Sequence, residues 1–148
     1  MKITEHFTLD EFILSDYAIR NNIDNTPSSK EVTNIIQLCI TVLEPLRKMI
    51  GSPMKILSGY RCPTLNTAIG GASSSQHIEG KAADIIVSNF TTEQLFNIIR
   101  YSDIQYDQLI QEFNRWVHIS FDISKSKQRG EKLLATKDNS RTIYTKIT

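Results

Sequence analysis

The sequence predicts a single small domain of the α+β class. Its 148 residues, 40% of them apolar and 22% charged, suffice for one hydrophobic core and are too few for two. Helix signals dominate the first half of the chain, where apolar residues recur at helical spacing behind capping motifs. Short runs of β-favouring residues occur mainly in the second half, and two of them are close enough to pair as a hairpin. We therefore expect residues 1–148 to form one domain.

Charge and hydropathy exclude several classes of protein. With 17 basic and 16 acidic residues, the chain has no general attraction to nucleic acid or anionic lipid, so neither is an expected partner. No apolar run reaches the ~20 residues of a membrane span, and the first residues lack the apolar core of a secretory signal. We expect a soluble protein made in the cytoplasm without a signal peptide. The two cysteines, Cys39 and Cys62, lack C-x-x-C spacing and cannot form a Cys-based zinc site; Cys39 is expected in the core.

Three helix starts are marked by capping residues. At each start a Ser or Thr is followed three residues later by Glu or Gln, and such pairs satisfy backbone N–H groups that have no partner within the helix. The pairs are Thr8 with Glu11, Ser28 with Glu31 and Thr91 with Gln94. Phe7 can pack on Phe12 as a hydrophobic staple at the first start, and Phe90 on Leu95 at the third. The third helix is expected to end at about Tyr101.

The helix that follows Ser28 is predicted to be the main core helix. Its apolar residues at helical spacing are Val32, Ile35, Ile36, Cys39, Val42, Leu43, Leu46, Met49 and Ile50. Pro45 lies inside this pattern and lacks a backbone N–H donor, so we expect a kink near Thr41 rather than two separate helices. Gly51 is expected to end the helix.

Four strands are predicted, at Met54–Leu57, Ala82–Val87, Asp107–Phe113 and Trp116–Ile123. A short helix that follows Pro63 and ends at Gly70-Gly71 should separate the first strand from a long loop. The last two strands flank Asn114-Arg115 and form the hairpin candidate.

The chain from about residue 124 is predicted to be a basic, polar tail. Its basic residues include Lys125, Lys127, Arg129 and Lys132, and a last strand is predicted at Thr142–Ile147. This composition is more typical of a solvated loop and an edge strand than of a binding arm.

Three residues have the chemistry and placement of a metal site. His77 and Asp84 stand seven residues apart, and a fold-back at Gly80 would let a loop ligand and a strand ligand point at one spot. In the strand around His118, alternation places Trp116, His118 and Ser120 on one face. Two imidazoles and one carboxylate would leave a fourth position on zinc, which is typical of a catalytic site.

Several motifs in this order resemble the M15 zinc peptidases, specifically the D-alanyl-D-alanine carboxypeptidase-like branch that includes phage endolysins. The motifs are S-x-H-x-x-G-x-A-x-D at Ser75 to Asp84, Ser58-Gly59-Tyr60-Arg61, Leu65-Asn66, Gly70-Gly71-Ala72 and Trp116-Val117-His118. The resemblance extends from about His6 to Phe121. It implies an antiparallel sheet flanked by helices, as in hedgehog and D-Ala-D-Ala peptidases, and one zinc ion.

Position by position, the resemblance assigns roles to four residues. It implies that His77, Asp84 and His118 are the zinc ligands, and that Arg61 contacts a substrate carboxylate or the developing oxyanion. It also implies cleavage of peptide bonds in bacterial peptidoglycan.

The general base is predicted to be Glu112. Some related peptidases place an acid three residues before the last histidine ligand, but that position here is Arg115, which cannot act as a base. Glu112 lies six residues before His118, a spacing similar to that in carboxypeptidase-like and hedgehog-type relatives. A two-residue turn would set Glu112 against Val117, away from the zinc face, whereas a three-residue loop from Phe113 to Arg115 would set it against Trp116 on that face. We predict the longer loop.

Two further residues are predicted to contact substrate. Many carboxypeptidase members carry a histidine at the position of Trp116, so the indole is expected to line the substrate groove instead. Gln76 is expected to reach the oxyanion.

The sequence thus predicts a monomeric zinc peptidase acting on peptidoglycan stem peptides or cross-links, as a carboxypeptidase or an endopeptidase. The resemblance implies a role in phage lysis, with action at the cell wall after release or as part of a virion. The alternative is a non-catalytic module, either a zinc-stabilised wall-binding domain or a virion structural part. The direction of Glu112 discriminates between them, because a side chain pointing away from the metal would favour the binding module.

Overall fold

Six helices and six strands make up the computed structural model, which describes all 148 residues. The helices are α1 (Leu9–Ile13), α2 (Asp16–Arg20), α3 (Ser29–Leu38), α4 (Glu44–Ile50), α5 (Pro63–Ala68) and α6 (Thr92–Arg100). The strands are β1 (Met54–Ser58), β2 (Ala82–Val87), β3 (Gln108–Glu112), β4 (Trp116–Ser120), β5 (Glu131–Asp138) and β6 (Arg141–Ile147). These elements confirm the predicted α+β class. None of the helices combines the length and the apolarity needed to cross a membrane.

The strands form one sheet in the order β1-β2-β4-β3-β5-β6. Every neighbouring pair is antiparallel except β3 and β5, which run parallel. Strand β6 lies at the edge, as predicted. Strand β5 was not predicted, because its lysines, glutamate and aspartate are depleted in strands generally and its half-exposed face lacks a strong apolar pattern.

The helix after Ser28 continues from α3 into α4 through a π-helical turn at Cys39–Leu43. In this turn the N–H of Glu44 donates to the carbonyl of Cys39, five residues earlier. Pro45 follows directly and has no N–H to restore the α-helical pattern. The sequence predicted a local distortion at this point, and the π turn is its form. Gly51, with φ of 71°, ends the helix as predicted.

Two of the predicted helix starts have their capping interactions in full. The N–H of Thr8 donates to Oε2 of Glu11 at 2.6 Å, and the N–H of Gln94 donates to Oγ1 of Thr91 at 3.0 Å. The staple at the first start is also present, with the rings of Phe7 and Phe12 6.3 Å apart. Helix α2 was not predicted; its N-terminus is capped by a serine hydroxyl, which accepts from the N–H three residues later.

The two faces of the sheet carry different chemistry. On one face, residues such as Ile85, Leu109 and Val117 are buried in the hydrophobic core, on which α6 packs. Because side chains alternate along a strand, the neighbours of these residues point to the other face. That opposite face carries Asp84 and His118, so the core and the candidate site share the same strands.

Candidate metal centre

Asp84 and His118 are brought together by strand pairing. They are direct partners in the antiparallel register of β2 and β4, on the face away from the core. Nδ1 of His118 lies 3.1 Å from Oδ1 of Asp84. Both side chains are buried.

His77 reaches the same carboxylate oxygen from the loop before β2. Its Nε2 lies 3.2 Å from Oδ1 of Asp84, and its Nδ1 lies 2.7 Å from the carbonyl oxygen of Gly59. A carbonyl only accepts, so Nδ1 carries the proton and the lone pair of Nε2 is free to bind a metal. The loop folds back at Gly80, as predicted. Gly80 has φ of 73°, and a Cβ there would lie 2.6 Å from the carbonyl oxygen of Glu31, so only glycine fits.

The three side chains fit a metal of the zinc type. Two donors bound at ~2.0–2.1 Å to a tetrahedral ion are separated by about 3.4 Å, close to the two separations above. Burial by itself raises the pKa of Asp84, but the interactions with His77 and His118 hold that pKa well below its usual range. The carboxylate is therefore ionised, as metal binding requires. His77, Asp84 and His118 are a group of donors that could hold one metal ion.

Arg61 is fixed against the second oxygen of Asp84. One terminal nitrogen of its guanidinium lies 3.3 Å from Oδ2 of Asp84, and the other donates to Oδ1 of Asn66 at 3.1 Å. Nε donates to Oγ of Ser58 at 3.0 Å, because an irregularity in β1 brings Ser58 opposite Asp84. Asp84 thus directs one oxygen to the histidines and the other to Arg61. The supporting roles of Ser58 and Asn66 were not predictable from the sequence, although both residues lie in the motifs.

Glu112 lies on the same face as the histidines. The loop between β3 and β4 has three residues, Phe113 to Arg115, and pairs Glu112 with Trp116, so the predicted longer loop is confirmed. Oε1 of Glu112 lies 3.7 Å from Nδ1 of His118. Burial raises the pKa of Glu112, and the negative charge of Asp84 raises it further.

One cleft of about 890 Å³ is lined by the three candidate metal ligands together with Arg61 and Glu112. Arg61, Gln76 and Trp116, the three residues predicted to contact substrate, all line it. The ring of Trp116 packs edge-on against Phe113, with ring centroids 6.0 Å apart. The side-chain amide nitrogen of Gln76 donates to Oδ2 of Asp107 at 3.0 Å.

Asp107 is the centre of a polar cluster that sequence reasoning missed. Its carboxylate is fully buried and accepts hydrogen bonds from the side chains of Gln76, Lys125 and Arg129 and from the backbone N–H of Arg129. These donors come from the loop before His77 and from the segment after β4. No sequence pattern indicates the cluster, because the donors lie 18 to 31 residues from Asp107 along the chain.

One wall of the cleft lies outside the motifs of the sequence. It is formed by two strands, β5 with Leu133 and Lys137 and β6 with Thr142 and Tyr144. This part of the chain was predicted to be a solvated loop and an edge strand, without a role in the site.

Comparison with known proteins places the chain in one family. No curated protein matches the chain. The profile of one family, described as Peptidase M15, matches residues 5–120. The matched segment contains His77, Asp84, His118, Glu112 and Arg61, and it covers well over half of the chain. The chain therefore belongs to the peptidase M15 family.

Proposed function

We propose that this protein is a zinc metallopeptidase that hydrolyses peptide bonds in bacterial peptidoglycan. The observation that carries the proposal is the convergence of His77, Asp84 and His118 in a cleft that also contains the carboxylate of Glu112. Membership of a peptidase family supports hydrolysis of a peptide bond. The peptidoglycan substrate is inferred from the motif resemblance. Zinc is inferred from the resemblance and from the donor set of two imidazoles and one carboxylate.

The zinc would be held by Nε2 of His77, Oδ1 of Asp84 and Nδ1 of His118. Bound there, it would polarise the scissile carbonyl and lower the pKa of water toward ~7. Gly59 fixes the tautomer of His77, and Arg61 fixes the orientation of Asp84. Such supporting hydrogen bonds hold ligands in place for the metal.

Glu112 would act as the general base and then as the general acid. It takes a proton from the attacking water as the water oxygen bonds to the carbonyl carbon. It then gives that proton to the leaving nitrogen as the C–N bond breaks. The raised pKa suits this exchange, because a carboxylate that holds a proton more readily is a better base near neutral pH.

Arg61, Gln76 and Trp116 would contact the substrate. A guanidinium has five N–H donors, and Arg61 uses three in contacts with a serine, an asparagine and the carboxylate of Asp84. The remaining donors would bind a substrate carboxylate or the developing oxyanion. Gln76 keeps one amide N–H beyond its bond to Asp107. The indole N–H of Trp116 is buried near Glu112 and makes no well-formed hydrogen bond within the protein, so the ring of Trp116 would form its substrate contact.

The direction of Glu112 supports catalysis over a purely binding function. A zinc-stabilised wall-binding or virion module would not need a carboxylate beside the metal ligands, whereas Glu112 lies beside His118. A role in phage lysis, with action at the cell wall after release or from a virion, belongs to this proposal through the motif resemblance alone. The protein is proposed to act as a monomer.

The test is mass analysis of purified peptidoglycan after digestion. Zinc-loaded protein should generate new amino ends, and the masses of the fragments would distinguish loss of a terminal D-Ala from cleavage of an internal bond. The zinc-loaded Glu112→Gln variant should generate none, although it binds zinc. No fragments from either protein would favour the binding module.

A further inference from the structure

The outer wall of the cleft is formed by the β5–β6 hairpin, which lies beyond the segment matched by the family profile. Strand pairing aligns Glu112 of β3 with Ala135 of β5, and Ala135 with Tyr144 of β6. Ala135 is small and buried, so no large side chain rises from the sheet between Glu112 and Tyr144. The face that carries the metal ligands therefore continues for two more strands.

Lys137 provides a fixed positive charge on this wall. Its Nζ donates to Oγ1 of Thr142 at 2.9 Å and lies 5.0 Å from the centroid of the Phe113 ring. Both neighbours also line the cleft, so these contacts place the solvent-exposed ammonium at the cleft.

The charge of Lys137 is not neutralised within the protein. The cleft contains two other cations, but Arg61 is paired with Asp84 and Arg129 with Asp107. No carboxylate lies within 4.0 Å of the ammonium of Lys137, whereas the hydroxyl and the ring that contact it are neutral. An anionic group that enters the cleft could therefore pair with the ammonium of Lys137 without displacing a carboxylate of the protein.

We propose that Lys137 is a specificity subsite for a carboxylate of the peptide substrate. The proposal rests on the proposed peptidase function and names a chemical feature of its substrate. It concerns a carboxylate remote from the scissile bond, because the strand that carries Lys137 is separated by β3 from the strand that carries His118.

The strand order sets the length of substrate that can reach this subsite. Strand β5 lies two strands from β4, so the two are ~10 Å apart at the usual strand spacing. An extended peptide advances ~3.3 Å per residue. Lys137 also lies four residues along β5 from Leu133, which is level with Ile110 and His118, so part of the path runs along the strand. A substrate must therefore extend at least about three residues from the metal before its carboxylate meets Lys137, and a dipeptide is too short.

The test compares peptides that differ in one carboxylate. The probes are a stem pentapeptide ending in D-Ala-D-Ala, with either a free carboxylate or an amide on its γ-linked D-glutamate, and the dipeptide D-Ala-D-Ala. Binding is measured with the zinc-loaded Glu112→Gln protein, which prevents turnover. Trp116, the only tryptophan, lines the cleft and reports binding by fluorescence.

The acid form should bind about fivefold more tightly than the amide form, and added salt should reduce the difference. Lys137→Met should abolish this preference, and Lys137→Arg should retain it. Dipeptide binding should be the same in all variants. Lys132→Met is the matched control, because Lys132 lies on the same strand and over an aromatic ring, that of Tyr106, but outside the cleft.

Equal binding of the acid and amide forms would overturn the subsite and leave the peptidase function unaffected. A preference for the acid form that persists in Lys137→Met would have the same consequence. A preference for the acid form that Lys137→Met abolishes would support the subsite even if the digestion of peptidoglycan failed. Binding of none of the probes would overturn the subsite, whereas the peptidase function is decided separately by the digestion of peptidoglycan.

Discussion

Glu112 and Trp116 are cross-strand partners in the β3–β4 hairpin, and both face the cleft. The loop that sets this register contains two consecutive residues with positive φ, Phe113 at 58° and Asn114 at 56°. The N–H of Arg115 donates to the carbonyl oxygen of Glu112 at 2.9 Å and closes the loop. Because side chains alternate along a strand, the length of this loop decides which face receives the carboxylate.

Glu112→Gln should abolish peptidase activity. The amide keeps the position of the side chain beside His118 but cannot take the proton of the attacking water. We expect a loss of at least about 100-fold in the rate of peptidoglycan cleavage, which is the lower range for removal of a general base. Zinc content, measured by elemental analysis, should be retained, because Glu112 is not one of the three ligands.

Glu93→Gln is the matched control, because it makes the same change at the exposed start of α6, outside the cleft. It should retain activity. Full activity in Glu112→Gln would show that Glu112 is not the base.

His118→Ala should lose both zinc binding and activity. Removal of one of three ligands leaves a donor set that no longer surrounds the ion. In the original protein, zinc at about 100 times its dissociation constant should raise the free energy of unfolding by about 2.7 kcal/mol, because the ion binds the folded state. Urea unfolding with and without zinc measures this increase.

The same increase should be absent in His118→Ala and present in Glu112→Gln. If His118→Ala were stabilised by zinc as much as the original protein, the ion would bind elsewhere.

The sequence predicted those parts of the fold in which local pattern and tertiary environment agree. The run Ala82–Val87 is almost wholly buried and apolar except for Asp84, and its predicted bounds match β2. Thr8 and Thr91 cap helices through contacts within three residues, so their motifs are complete in the sequence. Strand β5 exists only because it pairs with β3 and β6, and that pairing is not encoded in its own residues.

In the candidate site, too, the residues carried by a local motif were predictable and those that depend on distant contacts were not. His77, Asp84 and His118 were predictable because a recognisable motif carries them. Asp107 was not, because its burial depends on donors from Gln76 and from the segment after β4, which are distant in sequence and follow no motif. Burial raises the pKa of Asp107, but its hydrogen bonds, chiefly those from Arg129, hold it well below the usual range.

Asp107→Asn should weaken zinc binding as well as stability. Asp107 anchors Gln76, the residue before the ligand His77, and loss of such support typically costs about tenfold or more in metal affinity. Loss of charged hydrogen bonds should lower the free energy of unfolding by about 2–3 kcal/mol. Competition with a chelator measures the first effect and urea unfolding the second.

Glu131→Gln is the control for Asp107→Asn, because Glu131 lies 3.8 Å from Arg129 but does not bind Gln76. It should leave zinc affinity unchanged. A less stable Asp107→Asn variant with unaltered zinc affinity would show that Asp107 supports only the fold.

Glu44 should make folding stability depend on pH in the acid range. Its carboxylate accepts from the backbone N–H of His6 at 2.8 Å and lies 2.7 Å from Nδ1 of the same residue. Burial raises the pKa of Glu44, but these hydrogen bonds outweigh it and lower the pKa to about 2 from an ordinary value of 4.5. A group with a lowered folded-state pKa stabilises the fold above its unfolded-state pKa and loses that contribution as the pH falls through the folded-state value.

The stabilisation by Glu44 should thus be complete above about pH 4.5 and disappear by about pH 2. Glu44→Gln should be less stable than the original protein by about 2 kcal/mol at pH 7, the scale of hydrogen bonds to a charged group. Urea unfolding of both proteins at about pH 7, 4 and 2.5, values that span the titration of a carboxylate, should show the difference shrinking toward low pH. Asp107 and other carboxylates titrate in both proteins, so only the difference between the two curves reports Glu44. A difference that stayed constant over this range would mean that the ionised form of Glu44 does not carry the stabilisation.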